Sequence, residues 1–349
     1  MHSTTVAVDL AKNVFELAVA DGSGRIEERL RLNRARFTSY FVHRPPCRVL
    51  MEACGSAHYW ARCIAGHGHS VELLPAQYVR RYVRRSKTDS ADAAALIEAA
   101  RCPDIRRVPA KSLEHQQVLA LHRLRSQWLA TRQRYINTLR GLLRELGVAI
   151  PLGSHVARTQ IGQKLVEAES DLPAALKNSL AQMLEDVDHL AQRIEQVERQ
   201  IVAVTREDKI VRQLQQIPGV GPLTSTALRA TVGNIDRFTD ARCFASWLGL
   251  TPREHSSGER RRLGGISKQG DVYLRTLLIH GARAALAAAH RRQRAARPLD
   301  RLQQWALRCE DHRSYNVATV ALANRIARIC WATWTHGRDF DGNWASTTH

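Results

Sequence analysis

The sequence lacks the features that would place it in a membrane or outside a reducing cell. No stretch approaches the roughly 18 consecutive apolar residues of a membrane-spanning helix, and Asp9 and Lys12 interrupt the first apolar run, so no secretory signal is expected. Cysteine is scarce: there are seven, an odd number, with no CxxC pair. Neither a zinc site nor a disulfide framework is indicated, and reduced thiols in the cytoplasm are the expected state. No helix-turn-helix or zinc-finger pattern offers itself as a reader of base sequence. Acidic residues are in deficit, with 33 Asp plus Glu against 52 Lys plus Arg, a formal net charge of +19. Residues 211–349 carry +11 of that excess. Such a balance points to a polyanionic partner, either nucleic acid or an anionic membrane face, and a nucleic-acid protein is the expectation. At 349 residues the chain is long enough for two or three domains.

What is present begins with strands. Residues 4–10 (TTVAVDL) form a short apolar segment with an acid near its end. Residues 15–20 and 25–32 predict two further strands joined by the turn Asp21-Gly22-Ser23-Gly24. Residues 48–52 (RVLME) again end on an acid and lead into a helix over 57–65; residues 70–74 predict a fifth strand and 89–100 a helix. A hairpin-rich sheet followed by alternating strands and helices is the expected signature of an α/β RNase H-like fold.

Four acids stand out: Asp9, Glu52, Asp89 and Asp92. The first two end apolar strands, where a carboxylate projects past the sheet edge. Asp89 and Asp92, three apart at a helix start, share one helix face. Helix capping explains the second pair equally well. Taken jointly, the four suit a pocket for Mg²⁺ or Mn²⁺, whose hard-oxygen chemistry holds both oxygens of a phosphoryl transfer.

These acids lie in the strings VAVDLAK, MEACGS and KTDSADA, which resemble the DEDD signature of the insertion-sequence transposase family numbered one-ten, kin to pilin-gene invertases. The N-terminal domain of that family is similar to the RuvC junction resolvase. The resemblance implies that Asp9, Glu52, Asp89 and Asp92 form a metal-binding catalytic tetrad.

In the middle of the chain, Leu124, Trp128, Tyr135, Leu139, Leu142 and Leu146 keep near-helical spacing. After Pro173, nine apolar residues from Leu176 to Val204 recur with steps of four and three, a coiled-coil period. The seam either joins copies of the chain or closes an antiparallel hairpin with the 121–146 helix.

The last third holds QQIPGVGPLTST, in which Gly219 and Gly221 precede a helix. It resembles the phosphate-binding turn of helix-hairpin-helix modules, although a plain tight turn accounts for it nearly as well. Next comes LTPREHSSGERRRLGGISKQGDVYLR, with Arg253, Arg260, Arg261, Arg262, Lys268 and Arg275 around three serines and four glycines. The glycines permit close backbone approach and the cations suit phosphate, so these groups, with Gly219 and Gly221, are candidate nucleic-acid contacts. A serine here is a turn residue, a phosphate contact or a nucleophile. Trp305, Trp331 and Trp334 are expected in the core, and residues from Asp339 onward are expected to form a mobile tail.

This stretch, with IPGVGPLTSTAL, is similar to the C-terminal domain of the same family, and LGGISKQG suggests its 1111-type subgroup. The resemblance makes Ser257 the catalytic serine, with Ser256 as the adjacent alternative. It implies a recombinase that cuts and rejoins DNA through a serine–DNA linkage. Its expected partners are element-end and target DNA, an element-encoded guide RNA, and further copies of the chain in a dimer or tetramer. The expected parts are a RuvC-like domain over 1–110, a helical coiled-coil arm over 111–210 and a mostly helical serine domain over 211–349. The rivals are a water-using junction nuclease and a non-enzymatic nucleic-acid binder.

Overall fold

Alternating β-branched and apolar residues give β1 (Thr5–Leu10) and β2 (Val14–Ala20), which pair antiparallel, with Asp9 opposite Glu16. The turn from β2 to β3 (Ile26–Asn33) closes because Asp21 Oδ1 accepts from the backbone N–H groups of Ser23 and Arg25, both at 2.9 Å. The structure is a computed structural model that describes residues 4–82, 89–151, 153–167, 173–258 and 260–343. It divides into two compact units, Met1–Leu113 and Glu114–His349.

In the first unit the chain continues through α1 (Arg34–Val42), β4 (Arg48–Glu52), α2 (Ala57–Ala65), β5 (Ser70–Leu74), α3 (Ala76–Val79) and α4 (Asp89–Ala100). The sheet order is β3-β2-β1-β4-β5, with β4 parallel to both β1 and β5. Each strand face buries a different layer. Val6, Val8, Val49 and Met51 face an aromatic core in which Phe15 stacks on Phe37 at 4.2 Å and Trp60 meets both rings. Ala7, Ala18 and Leu50 face the other way, against Ala93, Leu96 and Ile97 of α4. The small residues on this face let the helix lie close to the strands. The sequence did not suggest α1, although Asn33 caps it by accepting from Arg36 N at 3.0 Å.

The second unit opens with α5 (Leu113–Glu145), α6 (Ser154–Glu167) and α7 (Ala174–Val204). Arg125, early in α5, pairs with Glu198, late in α7, at 2.6 Å. Toward the other end, Ile136, Leu139 and Leu143 pack with Leu180 and Val187, so the two helices run antiparallel. Ile161 and Leu165 of α6 complete this core. Most of the apolar seam of residues 176–204, expected as a possible interface between copies, is covered from within the chain: Leu180, Val187, Leu190, Ile194, Val197 and Ile201 are buried, Leu176 and Met183 are half-buried, and Val204 is exposed. Within the single chain the structure shows the intramolecular hairpin, and α6, which periodicity did not reveal, adds cover at the Leu180 and Val187 end of the seam.

The remaining elements are α8 (Lys209–Gln215), α9 (Pro222–Val232), α10 (Ala241–Trp247), β6 (Pro252–Glu254), β7 (Leu263–Ile266), α11 (Val272–Arg294), α12 (Arg301–Asp311) and α13 (Tyr315–His336). They share one core around Leu214, Phe244, Leu278 and Ile326. Gly219, at φ +87°, meets Gly281 of α11 so closely that a Cβ on either residue would strike the other's backbone. Trp334 is buried, and Trp305 and Trp331 pack on this core as expected.

The expected mobile tail is instead docked as far as the description reaches. Gln213 Nε2 donates to Gly337 O at 3.0 Å, Phe340 N donates to Gln216 Oε1 at 3.2 Å, and the Phe340 ring packs on the core. One aromatic anchor leaves no periodicity for a sequence reading to detect. No helix among the described residues is long and apolar enough to cross a membrane.

Candidate active site and nucleic-acid surface

Strand register places two of the four acids side by side. Asp9 and Glu52 each follow the last aligned pair of parallel β1 and β4, Val8 with Met51. Side chains alternate along a strand, so Asp9 shares the face of Ala7 and Glu52 that of Leu50, the face covered by α4. The direction of α4 follows from its far end. A Cβ on Gly24, in the turn beyond Ala20, would meet Arg101 and Ile97, and Ala20 pairs with Thr5 at the start of β1. The C-terminal end of α4 thus lies by the start of β1. At about 1.5 Å per residue α4 spans about 18 Å, close to the length of the strand, so its first turn reaches the end of β1 where Asp9 and Glu52 sit.

Asp92 stands three and four residues before Ala95 and Leu96, both buried under the sheet, so it belongs to the inward side of that first turn. Asp9, Glu52 and Asp92 are all half-buried. The side chain of Asp89 lies outside the described residues. Among the described residues, no three carboxylate, imidazole or thiol groups converge as a metal-holding set. The donor chemistry of the acids at this edge nevertheless fits a divalent cation, since carboxylate oxygens are its preferred ligands.

The serine stretch, which carried no clear secondary-structure signal, folds as a hairpin. Strands β6 and β7 pair antiparallel, with Pro252 opposite Ile266 and Glu254 opposite Leu263. Farther out, His255 N donates to Arg262 O at 2.9 Å and Ser257 bridges to Arg260. The serines therefore sit at an exposed tip. Gly258 takes φ +57° beside Ser257, a left-handed turn position that glycine fills without a Cβ penalty. Ser256 Oγ donates to Glu254 Oε1 at 2.8 Å and accepts from Arg262 N at 3.1 Å. The Ser256 hydrogen bond and the charge of Arg261 hold the Glu254 carboxyl below its ordinary range. The Ser257 hydroxyl has no partner among the described residues.

The cations divide into two groups. Arg260, Arg261, Arg262 and Lys268 are exposed. Arg253, also exposed, folds back to donate to Ser267 O at 3.2 Å. Arg275 corrects the sequence expectation: it is only 7% exposed and donates to Leu248 O at 3.2 Å, so its charge is spent on the fold and not on nucleic acid. Gly219 owes its identity to the contact with Gly281, whereas Gly221 is exposed as the N-cap of α9.

One polar cluster escaped sequence reasoning. His122 of α5 is buried between Thr226 of α9 and Tyr273 of α11. Thr226 Oγ1 donates to Pro222 O at 2.7 Å, so it accepts from His122 Nε2 at 3.0 Å, and Tyr273 Oη then donates to Nδ1 at 2.9 Å. Burial, reinforced by Arg125, lowers the His122 pKa to about 4. The imidazole is thus a neutral pin between the arm and the serine-bearing helices. Separations of 104 and 151 residues left no local signal for it.

Comparison with known proteins covers both regions. A DEDD transposase family of the IS110 type matches residues 6–148, which include all four acids, and the transposase IS116/IS110/IS902 family matches residues 211–297, which include Ser257. A "probable family 20 transposase" of Pseudomonas aeruginosa is 41% identical over 95% of this chain and 97% of its own length. The transposase for insertion sequence element IS1111A of Coxiella burnetii is 36% identical over 95% of this chain and 89% of its own. The transposase for IS1328 of Yersinia enterocolitica is 34% identical over 97% of this chain and 98% of its own.

Proposed function

Since the chain belongs to the IS110 family of insertion-sequence transposases, enzymes of DNA strand transfer, we propose that Ser257 is the nucleophile that cuts and holds the DNA strand. The observation that carries this assignment is the contrast within one dipeptide: Ser256 is committed on both sides, and Ser257 is free at the hairpin tip among the described residues. The Ser257 oxygen forms a bond to phosphorus as the strand's own phosphorus–oxygen bond breaks. The resulting phosphoserine link conserves the bond energy, and attack by a new strand end reverses the step without an external energy source. Arg260, Arg261 and Arg262 flank the tip, while Lys268 stands at the base of the hairpin; the arginines at the tip neutralise charge on the non-bridging oxygens.

Membership of a DEDD family implies dependence on a divalent metal. We assign Asp9, Glu52, Asp89 and Asp92 to hold it, as Mg²⁺ or Mn²⁺, at the edge of an RNase H-like, RuvC-like sheet. Bound there, such an ion supplies charge neutralisation and lowers the pKa of an attacking hydroxyl. The three-part division at residues 110 and 210 is retained as a functional one: metal domain, arm and serine domain. Recombination joins two duplexes, which supports a dimer or tetramer in the cytoplasm. Exposed arginines around the hairpin position phosphates without reading bases, which supports an element-encoded guide RNA as the source of sequence choice.

Denaturing electrophoresis with element-end DNA and Mg²⁺ tests the assignment. The wild-type protein gives a covalent adduct and strand exchange, while Ser257→Ala binds DNA and gives neither. Clean cutting by Ser257→Ala would establish a water nucleophile instead.

A further inference from the structure

A groove of about 1420 Å³ lies between the base of the β6–β7 hairpin and the helices α12 and α13. It exceeds the roughly 300–1,000 Å³ of a small-molecule site. Its walls include Val317, Val320, Ala321 and Ile329, and cations are set among them: Lys268, Arg301, Arg325 and Arg328. Asp339 and Asp341 of the docked tail are the acids that line it.

Arg325 decides what this groove is for. Its guanidinium lies over the Trp305 ring, 4.5 Å from the centroid. Among the described residues, neither Arg325 nor its neighbours Arg328 and Arg308 has an ion-pair partner. Burial, with the like charges of Arg328 and Arg308, pushes Arg325 below the ordinary arginine range. A half-buried cation beside like charges and without an ion-pair partner weakens the folded state unless an anion joins it. The cation–π contact with Trp305 also holds the guanidinium beside the groove, where its N–H groups suit a phosphate oxygen. A second cavity, of about 410 Å³, shares Trp305 as a wall and continues the cationic lining through Arg308 and Arg313.

We propose that this groove seats a single-stranded segment of DNA, with phosphates on Arg325, Arg328 and Arg308 and bases against the apolar wall. A duplex keeps its bases stacked inside, so an apolar wall beside a phosphate track suits an unpaired strand. Strand transfer frees such strands, which makes DNA the source. The inference rests on the family's DNA chemistry and is independent of which residue is the nucleophile.

The test is fluorescence anisotropy of a labelled thymidine oligonucleotide of about 15 nucleotides on the full-length protein, over a range of salt. Arg325→Gln/Arg328→Gln is expected to bind at least about tenfold more weakly, with the slope of log K against log salt shallower by about 1.4, or about 0.7 for each phosphate left without its arginine. Its melting temperature without DNA should be equal to or above that of the wild type, because like-charge repulsion is relieved. Unchanged affinity and slope would overturn the proposal. So would a fall in melting temperature alongside weakened binding, which would mark the arginines as structural. Tighter binding of an RNA oligonucleotide of equal length would overturn the assignment to DNA.

Discussion

Ser256 is tied to Glu254, its hydroxyl donating to Oε1 at 2.8 Å while it accepts from the backbone of Arg262 at 3.1 Å. A hydroxyl held by both donor and acceptor cannot present its oxygen to phosphorus without first breaking those bonds. Ser256→Ala is therefore expected to loosen the hairpin and slow strand cleavage only a few-fold, with the covalent adduct retained. Ser257→Ala is expected to abolish the adduct with no change in DNA affinity. Parallel cleavage and filter-binding assays on the two variants check this.

The acids at the sheet edge predict a second loss of activity. Asp9→Asn and Asp92→Asn should lower cleavage by more than the roughly 10–100-fold that follows removal of a group that only orients a metal ligand. Both variants should fold normally, since each substitution is nearly isosteric at a half-buried position. Cleavage rates across a Mg²⁺ titration, with circular dichroism as the folding control, measure this. Wild-type rates in either variant would remove that residue from the metal site.

Most of the sheet was legible in the sequence because strand alternation and the Asp21 turn are local signals; so was the placing of Asp9 and Glu52, since both end apolar runs. Helices α1 and α6 and the β6–β7 hairpin were not legible. Helices α1 and α6 have only weak apolar stripes, and the hairpin is too polar and glycine-rich to show a strand period. Residues that act at long range were invisible for the same reason. Arg275 resembles its exposed neighbours until the fold buries it against Leu248 O, and nothing near His122 in sequence hints at Tyr273.

His122 makes stability depend on pH. Burial lowers its pKa to about 4, whereas an unfolded histidine titrates near about 6.5. Between those values the unfolded chain binds the extra proton, so this contribution is fully present above about pH 6.5 and is lost as pH falls toward about 4. The shift corresponds to on the order of 3 kcal/mol. His122→Gln should flatten that part of the stability profile, which urea denaturation at about pH 7 and about pH 4.5 measures. An equally steep profile in the variant would mean that other groups govern the acid limb.

The buried seam of the arm gives a packing prediction. Ile201 is 0% exposed within the single chain, so Ile201→Ala should cost about 2–5 kcal/mol. The loss should be the same at every protein concentration, since the packing is intramolecular. Denaturation at two widely separated concentrations checks this, and a loss that disappears on dilution would place the seam between copies.

The most direct test of serine catalysis is peptide mapping by mass spectrometry of the protein trapped on element-end DNA. Nucleotide mass on the peptide containing the hairpin tip, fragmenting to Ser257, is the predicted result. Modification at Ser256, or fully cleaved DNA with no nucleotide on any serine, would contradict it.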